Sequence, residues 1–145
     1  MQKGFDFTGV TTVFFCHDGA GNFLMAKRNE KCRDEWGHWD IGGGGLKFGE
    51  QVSDALKREI FEEYCTNVLS FETLGFRDVH REHEGKKTHW VALDFKVLVD
   101  KDKADNGEPH KHDEIGWFTR DTMPDALHSQ FPRFLELYGE RLFEV

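Results

Sequence analysis

Three glutamates in the middle of the chain have a spacing that suits metal binding. Glu59, Glu62 and Glu63 are three and four residues apart, so a helix would place their carboxylates on one face, within reach of a common point. Glu50 precedes this segment and can reach the same end. Carboxylates this close repel one another, and Arg58, four residues before Glu62, relieves one charge only. A hard cation such as Mg²⁺, which takes oxygen ligands and substrate phosphates, would relieve the rest.

The same charge run has a second interpretation, a solvated helix face, which is the commoner one for such a run taken alone. The wider pattern favours the metal site. A run of four glycines at 42–45 leads towards the helix, Glu50 stands at the junction, and Arg-Glu and Glu-Glu follow at fixed offsets. This combination is far rarer than a charged helix face.

Residues 44–66 resemble the Nudix box, whose pattern is Gly, five residues, Glu, seven residues, Arg-Glu, an aliphatic, any residue, Glu-Glu, any residue, Gly and an aliphatic. The matching positions are Gly44, Glu50, Arg58, Glu59, Ile60, Glu62 and Glu63. The flanking segments also resemble the Nudix layout, including Trp39-Asp40 and residues 114–118, so the resemblance covers most of the chain.

The match has two departures. Cys65 and Thr66 stand where the family has its closing glycine and aliphatic residue, and Gly42 replaces a proline that is common before the paired glycines. The closing glycine ends the helix in a left-handed conformation, which cysteine disfavours, so we expect Asn67 to take that conformation after a slightly longer helix. Neither departure removes a metal ligand.

The resemblance implies a role for each matching residue. The implied metal-binding residues are Glu59, Glu62, Glu63 and Gly44. The implied catalytic residues are Glu63, Glu62 and Arg58, with Arg58 orienting the carboxylates. The implied cofactor is Mg²⁺, with Mn²⁺ as a substitute, which would polarise a phosphorus–oxygen bond and activate water for in-line attack. The general base stays open among Glu62, Glu63, Asp113 and Glu114.

Substrate binding is assigned to Arg28, Glu50 and Glu114. Arg28 ends a predicted strand, and its planar guanidinium suits phosphate oxygens, although a surface cation is an equally good interpretation. Base stacking on Trp36, Trp39 or Trp90 is less favoured than burial of these rings in the core.

A zinc site built from histidines is disfavoured. The candidates are His80, His83, His89, His110 and His112. Residues 80–84 are predicted to form the turn between two strands, and residues 110–112 belong to a predicted loop, so no rigid element would fix either group.

The elements that position these residues predict an α/β fold. Residues 9–16 and 23–26 predict a β-hairpin, and residues 51–65 predict an amphipathic helix. Further predicted strands are 69–79, 89–99 and 114–118, and the predicted loops are 29–39 and 100–113, with residues 42–45 breaking regular structure. Asp121 and Pro124 indicate a helix start, and residues 131–143 a C-terminal helix. We expect one domain over residues 1–145, a Nudix-like α/β/α sandwich with a mixed sheet between the two helices.

Composition limits the partners. The formal net charge of −8 argues against binding of long nucleic acid, which requires a basic surface. No apolar run is long enough to span a membrane, the first residues do not resemble a signal peptide, and three widely spaced cysteines fit a reducing cytoplasm. We therefore expect a cytoplasmic monomer or homodimer that acts on a small nucleotide-like molecule.

The sequence thus predicts Mg²⁺-dependent hydrolysis of a phosphoanhydride bond in a nucleoside diphosphate linked to another group, such as a nucleoside triphosphate or a nucleotide sugar. One alternative is a non-catalytic Nudix-like module that binds or senses nucleotides, which would be expected to have lost the metal carboxylates that this sequence retains. A second alternative is an unrelated acidic α/β interaction domain with a solvated charged helix.

Overall fold

A computed structural model describes residues 1–144, in which seven β-strands and two α-helices are found. The strands are β1 (Gly9–His17), β2 (Phe23–Arg28), β3 (Trp39–Asp40), β4 (Gly43–Gly45), β5 (Val68–His83), β6 (Lys86–Val99) and β7 (His112–Phe118). The helices are α1 (Val52–Tyr64) and α2 (Phe131–Tyr138), and short 3₁₀ helices span Lys101–Lys103 and Gly139–Leu142.

The strands form one mixed sheet, as predicted. Its central path runs β3-β2-β1-β6-β5, with β4 paired to β1 and β7 paired to β2. The pair β1–β6 is parallel, with Gly9 opposite Trp90, whereas the other pairs are antiparallel.

The two helices lie on opposite faces of this sheet. Phe14 and Phe15 are neighbours in β1, so their side chains point to opposite faces. Phe14 belongs to a buried cluster with Leu56 of α1, and Phe15 belongs to a second cluster with Phe134 of α2. The α/β/α arrangement is therefore confirmed. Neither helix of residues 1–144 is long and apolar enough to cross a membrane.

Helix α1 forms where its apolar spacing predicts and ends one residue earlier than expected. Its sheet-facing residues are buried: Ala55, Leu56, Ile60 and Tyr64. The prediction that Asn67 takes the left-handed conformation is wrong, because Cys65 itself has φ 59° and ψ 11°. Its amide donates a hydrogen bond to the Phe61 carbonyl at 2.9 Å, which gives the last turn a hydrogen-bonded end despite the unfavourable residue type.

The glycine run does not break regular structure as predicted. Gly43, Gly44 and Gly45 form β4 and lie opposite residues of β1. A Cβ atom on Gly43 would lie 2.6 Å from the Thr12 carbonyl oxygen, so only glycine permits this approach of the two backbones.

The β5–β6 hairpin is longer than predicted, and the assignment of residues 80–84 to a turn is wrong. The pairing continues to His83 opposite Lys86. The turn is made by Glu84 and Gly85 alone, with φ values of 51° and 79°. Two positive φ values are typical of the two-residue turns that preserve strand twist, so the strands can run to the tip.

The C-terminal part also differs from the prediction. No helix begins near Asp121 or Pro124 in the described chain; α2 begins at Phe131. The backbone before α2 bonds to β3 instead, since the Trp39 amide donates to the Ala126 carbonyl at 2.7 Å and the His128 amide donates to the Trp39 carbonyl at 2.8 Å. The predicted helix over 131–143 is interrupted, because α2 ends at Tyr138 and a 3₁₀ helix spans Gly139–Leu142. Strand β7 likewise begins inside the predicted loop, at His112.

The strain at Cys65 gives a stability prediction. We expect Cys65→Gly to raise the free energy of unfolding by about 0.5–1 kcal/mol, because glycine removes a left-handed penalty of about 1–2 kcal/mol and loses part of it to a more flexible unfolded chain. Urea unfolding at pH 7 measures this change. Cys65→Ala is the matched control, since it keeps the strain and should not stabilise. If Cys65→Gly lowers the free energy of unfolding while Cys65→Ala does not, this explanation is contradicted.

Candidate active site

Arg58 lies at the centre of the carboxylate cluster on α1. Its guanidinium donates to Glu50 through Nε at 2.7 Å and Nη2 at 2.9 Å, and to Glu59 through Nη1 at 2.8 Å. Nη1 also lies 3.3 Å from Glu62 Oε2. Arg58 therefore contacts Glu50 and Glu59 as well as its predicted partner Glu62, and its single positive charge is shared among three carboxylates.

Glu50 was predicted to bind substrate, and in the structure its carboxylate contacts Arg58. Both of its carboxylate oxygens accept hydrogen bonds from Arg58, and these bonds lower the pKa of Glu50 to about 2. Glu50 thereby ties the loop before α1 to the helix, and its contacts in this structure are structural.

Glu59 packs directly against the glycine strand. A Cβ atom on Gly44 would lie 2.0 Å from the Glu59 carboxyl carbon, so this carboxylate occupies the space that any other residue at position 44 would fill. Burial raises the pKa of Glu59, the hydrogen bond from Arg58 opposes this rise, and repulsion by Glu62 and Glu108 adds to it. Because Gly44 has no side chain, the Glu59 carboxylate can pack against β4.

Glu63 is a buried carboxylate at the end of α1, with 8% of its surface exposed. Burial is the main cause of a pKa well above the ordinary value, and repulsion by the Glu108, Glu59 and Asp40 carboxylates increases it. The Gly43 amide donates a hydrogen bond that stabilises the ionised form in part. A buried acid surrounded by other acids is a costly arrangement unless a cation shares the site.

Sequence reasoning missed Glu108, which comes from the loop after β6. Next to it, a Cβ atom on Gly107 would lie 2.1 Å from the Glu62 carbonyl oxygen, and the Gly107 amide donates to the Glu63 carbonyl at 2.9 Å. This close contact brings Glu108 near enough to raise the pKa values of Glu59 and Glu63. The only signal in the sequence was a glycine in a charged loop.

A cavity of about 320 Å³ opens beside this cluster. Glu63 and Tyr64 of α1 lie at its wall, together with Asp40, Gly42 and Gly43. The Tyr64 hydroxyl donates a hydrogen bond to the Ile41 carbonyl. Through Glu63, the end of α1 therefore borders a partly open space of the size that small-molecule sites have.

Four arginines line the cavity, and sequence reasoning found only Arg28. They are Arg28, Arg33, Arg77 and Arg81. Arg28 pairs with Asp34 at 3.2 Å, Arg77 with buried Asp94 at 2.6 Å, and Arg81 with Glu35 at 2.7 Å. Within residues 1–144, Arg33 forms no ion pair and is the cavity arginine whose charge is not already matched by an acid.

Glu35 joins the two loops that border the cavity. It adopts φ 51°, and its carboxylate accepts hydrogen bonds from the Ser129 amide at 2.7 Å, the Ser129 hydroxyl at 2.8 Å and Arg81 at 2.7 Å. His128 Nε2 lies 2.9 Å from the same carboxylate. These contacts fix the loop after β2 to the segment before α2.

His112 also lines the cavity and was missed as a site residue. It is buried, and its Nδ1 has no hydrogen-bond partner within the described residues. Burial lowers its pKa, although Glu108 opposes this shift, so the imidazole is neutral at pH 7.

Other predicted site residues lie outside this cavity. Glu114 and Asp113 are exposed, and Glu114 lies opposite Lys27 in the β2–β7 pair, so neither borders the cavity. Of the three tryptophans considered for base stacking, Trp90 lines the cavity, whereas Trp36 is exposed and Trp39 packs edge-on against Phe118.

Comparison with known proteins places these features in a family. The family model of the NUDIX domain matches residues 7–138. The nucleoside triphosphatase NudI of Enterobacter sp. (strain 638) is 27% identical over 111 residues, which cover 71% of this chain and 77% of that protein. The RNA pyrophosphohydrolase of Acidiphilium cryptum is 29% identical over 126 residues, which cover 79% and 76% of the two chains.

Comparison with solved structures also finds a NUDIX hydrolase. The crystal structure of a MutT NUDIX hydrolase from Burkholderia pseudomallei superposes with a TM-score of 0.77 at 28% identity, covering 90% of this chain and 97% of that one. The chain belongs to the Nudix family and is a pyrophosphohydrolase of the Nudix type.

Proposed function

We propose that this protein hydrolyses a phosphoanhydride bond in a nucleoside diphosphate linked to another group, with Mg²⁺ or Mn²⁺ as cofactor. The observation that supports this most strongly is the position of Glu59, Glu62 and Glu63. They lie on the C-terminal half of α1, where Glu63 borders a cavity that Arg33 also lines, and Arg33 has no ion pair within residues 1–144.

The residues present fit a hard divalent cation. All the candidate donors are oxygens, namely the carboxylates of Glu59, Glu62 and Glu63 and the Gly44 carbonyl, which is the donor type that Mg²⁺ prefers. Burial is the main cause that raises the pKa values of Glu59 and Glu63, and a bound cation would offset that cost of keeping both carboxylates ionised. When bound, the cation would neutralise phosphate charge and activate the attacking water.

The chain's own residues would then hold and orient the reactants. Arg58 fixes the carboxylates, and Glu63, with Glu62, orients the attacking water from the end of α1. Arg28 and Arg33 bind the anionic part of the substrate, because both line the cavity and guanidinium groups match phosphate oxygens.

Small nucleotides are the substrate class that the cavity favours. A volume of about 320 Å³ accommodates one compact group, and Trp90 presents an aromatic surface to it. Two relatives are described as a nucleoside triphosphatase and an RNA pyrophosphohydrolase, which makes nucleoside triphosphates and 5′-triphosphorylated RNA the first compounds to compare. The thiols of Cys16, Cys32 and Cys65 are free, which fits a reducing compartment such as the cytoplasm.

A substrate panel tests the proposed function directly. Nucleoside triphosphates, nucleotide sugars and a 5′-triphosphorylated oligonucleotide are incubated with Mg²⁺, with Mn²⁺ and with EDTA, and phosphate, pyrophosphate and nucleotide products are measured. We expect turnover of at least one small nucleotide with either metal and none in EDTA. Turnover that persists in EDTA would contradict the proposed metal dependence. Binding of nucleotides without any product would contradict the proposed hydrolysis.

The contact between Gly44 and Glu59 gives a sharper test. We expect Gly44→Ala to lower kcat/KM by at least about tenfold, because the new methyl group displaces the Glu59 carboxylate and a misplaced catalytic group of this kind costs up to about a hundredfold. Gly45→Ala is the matched control. At that position a Cβ atom has no neighbour closer than 3.5 Å, so although Gly45 lines the cavity the Glu59 carboxylate stays in place and the loss should be much smaller. Equal activity of the two variants would exclude this role of Gly44.

Glu63→Gln tests the buried carboxylate. Glutamine keeps the volume but removes the charge, so turnover on the best substrate should fall by at least about a hundredfold, the loss typical of removing a group that acts on the transition state. Glu136→Gln makes the same chemical change at an exposed position of α2 and should leave turnover unchanged. Near-normal turnover of a folded Glu63→Gln variant would mean that Glu63 is not in the active site.

The same variant should fold at least as well as the wild type without metal. The folded pKa of Glu63 lies above the ordinary glutamate value of 4.5, so the folded state binds its proton more tightly than the unfolded state does. In EDTA, wild-type stability therefore falls as pH rises from about 4.5 through the raised pKa, whereas Glu63→Gln lacks this contribution. Melting temperatures measured in EDTA across that range check the sign. A steeper fall in the variant would contradict it.

A further inference from the structure

The β5–β6 hairpin carries a second group of ligand atoms on the face that points away from the cavity. Arg77, Val79 and Arg81 of β5 line the cavity, so strand alternation turns Asp78 and His80 to the opposite face. This outer group is therefore separate from the carboxylates of α1.

The outer group consists of Asp78, His80 and His89. One ligand atom from each residue lies within 4.8 Å of the other two. His80 and His89 are direct cross-strand neighbours, and their rings stack with centroids 4.2 Å apart. A histidine metal site was disfavoured from the sequence because residues 80–84 were predicted to lie in a turn, where no rigid element would fix them. The extended hairpin removes that objection, because both histidines stand on paired strands.

A further contact orients one of the imidazoles. His89 Nε2 lies 2.8 Å from Asp78 Oδ1, and His89 Nδ1 lies 3.1 Å from the Thr8 hydroxyl oxygen. The His89 amide also donates to the Gly4 carbonyl at 2.8 Å. In a metal-bound His89, Nδ1–H would donate to the Thr8 hydroxyl oxygen, which leaves Nε2 without a proton and directs it at the ligand position, as in metal sites whose histidines are held by a neighbouring polar group.

We propose that Asp78, His80 and His89 bind a transition-metal ion of the zinc type, with Thr8 as a positioning residue. Two imidazoles and one carboxylate suit Zn²⁺, whereas Mg²⁺ prefers oxygen donors alone. Binding requires small rotations of these side chains, two of which are exposed, to bring one atom of each to about 2.0–2.2 Å from the ion. Three protein ligands leave a fourth position open to solvent. The bound ion would link the N-terminal segment to the hairpin through Thr8 and His89.

Isothermal titration with Zn²⁺ tests the site in the full chain. The buffer contains excess Mg²⁺, to occupy the α1 carboxylates, and a phosphine reductant that keeps the cysteines as thiols. We expect one Zn²⁺ to bind, and His80→Ala or His89→Ala to weaken its affinity by at least about tenfold. Thr8→Val should weaken it by about tenfold, as loss of a group that orients a ligand does. His110→Ala changes an exposed histidine elsewhere and should bind Zn²⁺ as the wild type does.

A measurement on the unmodified protein keeps the proposal testable if a variant fails to fold. In NMR spectra, Zn²⁺ should shift the imidazole signals of His80 and His89 and leave that of His110 unchanged. Zinc affinity that is equal in the wild type and the two histidine variants would overturn the site. Imidazole shifts confined to other histidines would also overturn it. Neither measurement uses hydrolytic activity, so the outcome is independent of the proposed function.

Discussion

The ion pairs of Arg58 hold the carboxylate end of α1 together. The guanidinium contacts Glu50, Glu59 and Glu62, which would otherwise repel one another across a single turn of helix and the loop before it. Because Glu50 lies outside the helix, the same contacts fix the loop relative to α1. One cation cannot balance this cluster together with buried Glu63, and the remaining negative charge is what suits the site to a divalent metal.

The glycines convert that charge cluster into part of a cavity. Gly43 lets β4 approach β1, and Gly44 leaves the space that the Glu59 carboxylate fills. Gly107 brings the loop of Glu108 against the last turn of α1. These close approaches bring acids from one helix and one loop together next to the cavity, which Glu63 itself lines. The arginines Arg77 and Arg81 line the same cavity and are held by ion pairs with Asp94 and Glu35.

Residue spacing predicted the parts of the site that are local in sequence. The three glutamates of α1 are set by helical periodicity, and the alternating strands were recognisable for the same reason. The cavity arginines of β5, and Glu108, could not be predicted, because their positions depend on strand register and on a loop contact between distant residues. Cys65 was misjudged because the helix ends in its bond to Phe61 despite the local preference of cysteine, and the segment before α2 because its tertiary hydrogen bonds to β3 outweighed the helix-start signal. The hairpin turn was placed too early because polar residues such as His80 also occupy exposed strand faces.

We propose that the carboxylates of α1 form one divalent-metal site. A crystal structure of the protein soaked in Mn²⁺, with the ion located by its anomalous scattering, would test this proposal. We expect an anomalous peak next to the cavity, coordinated by carboxylate oxygens from at least two of Glu59, Glu62 and Glu63. No peak at this cluster, with the three carboxylates directed apart into solvent, would contradict it.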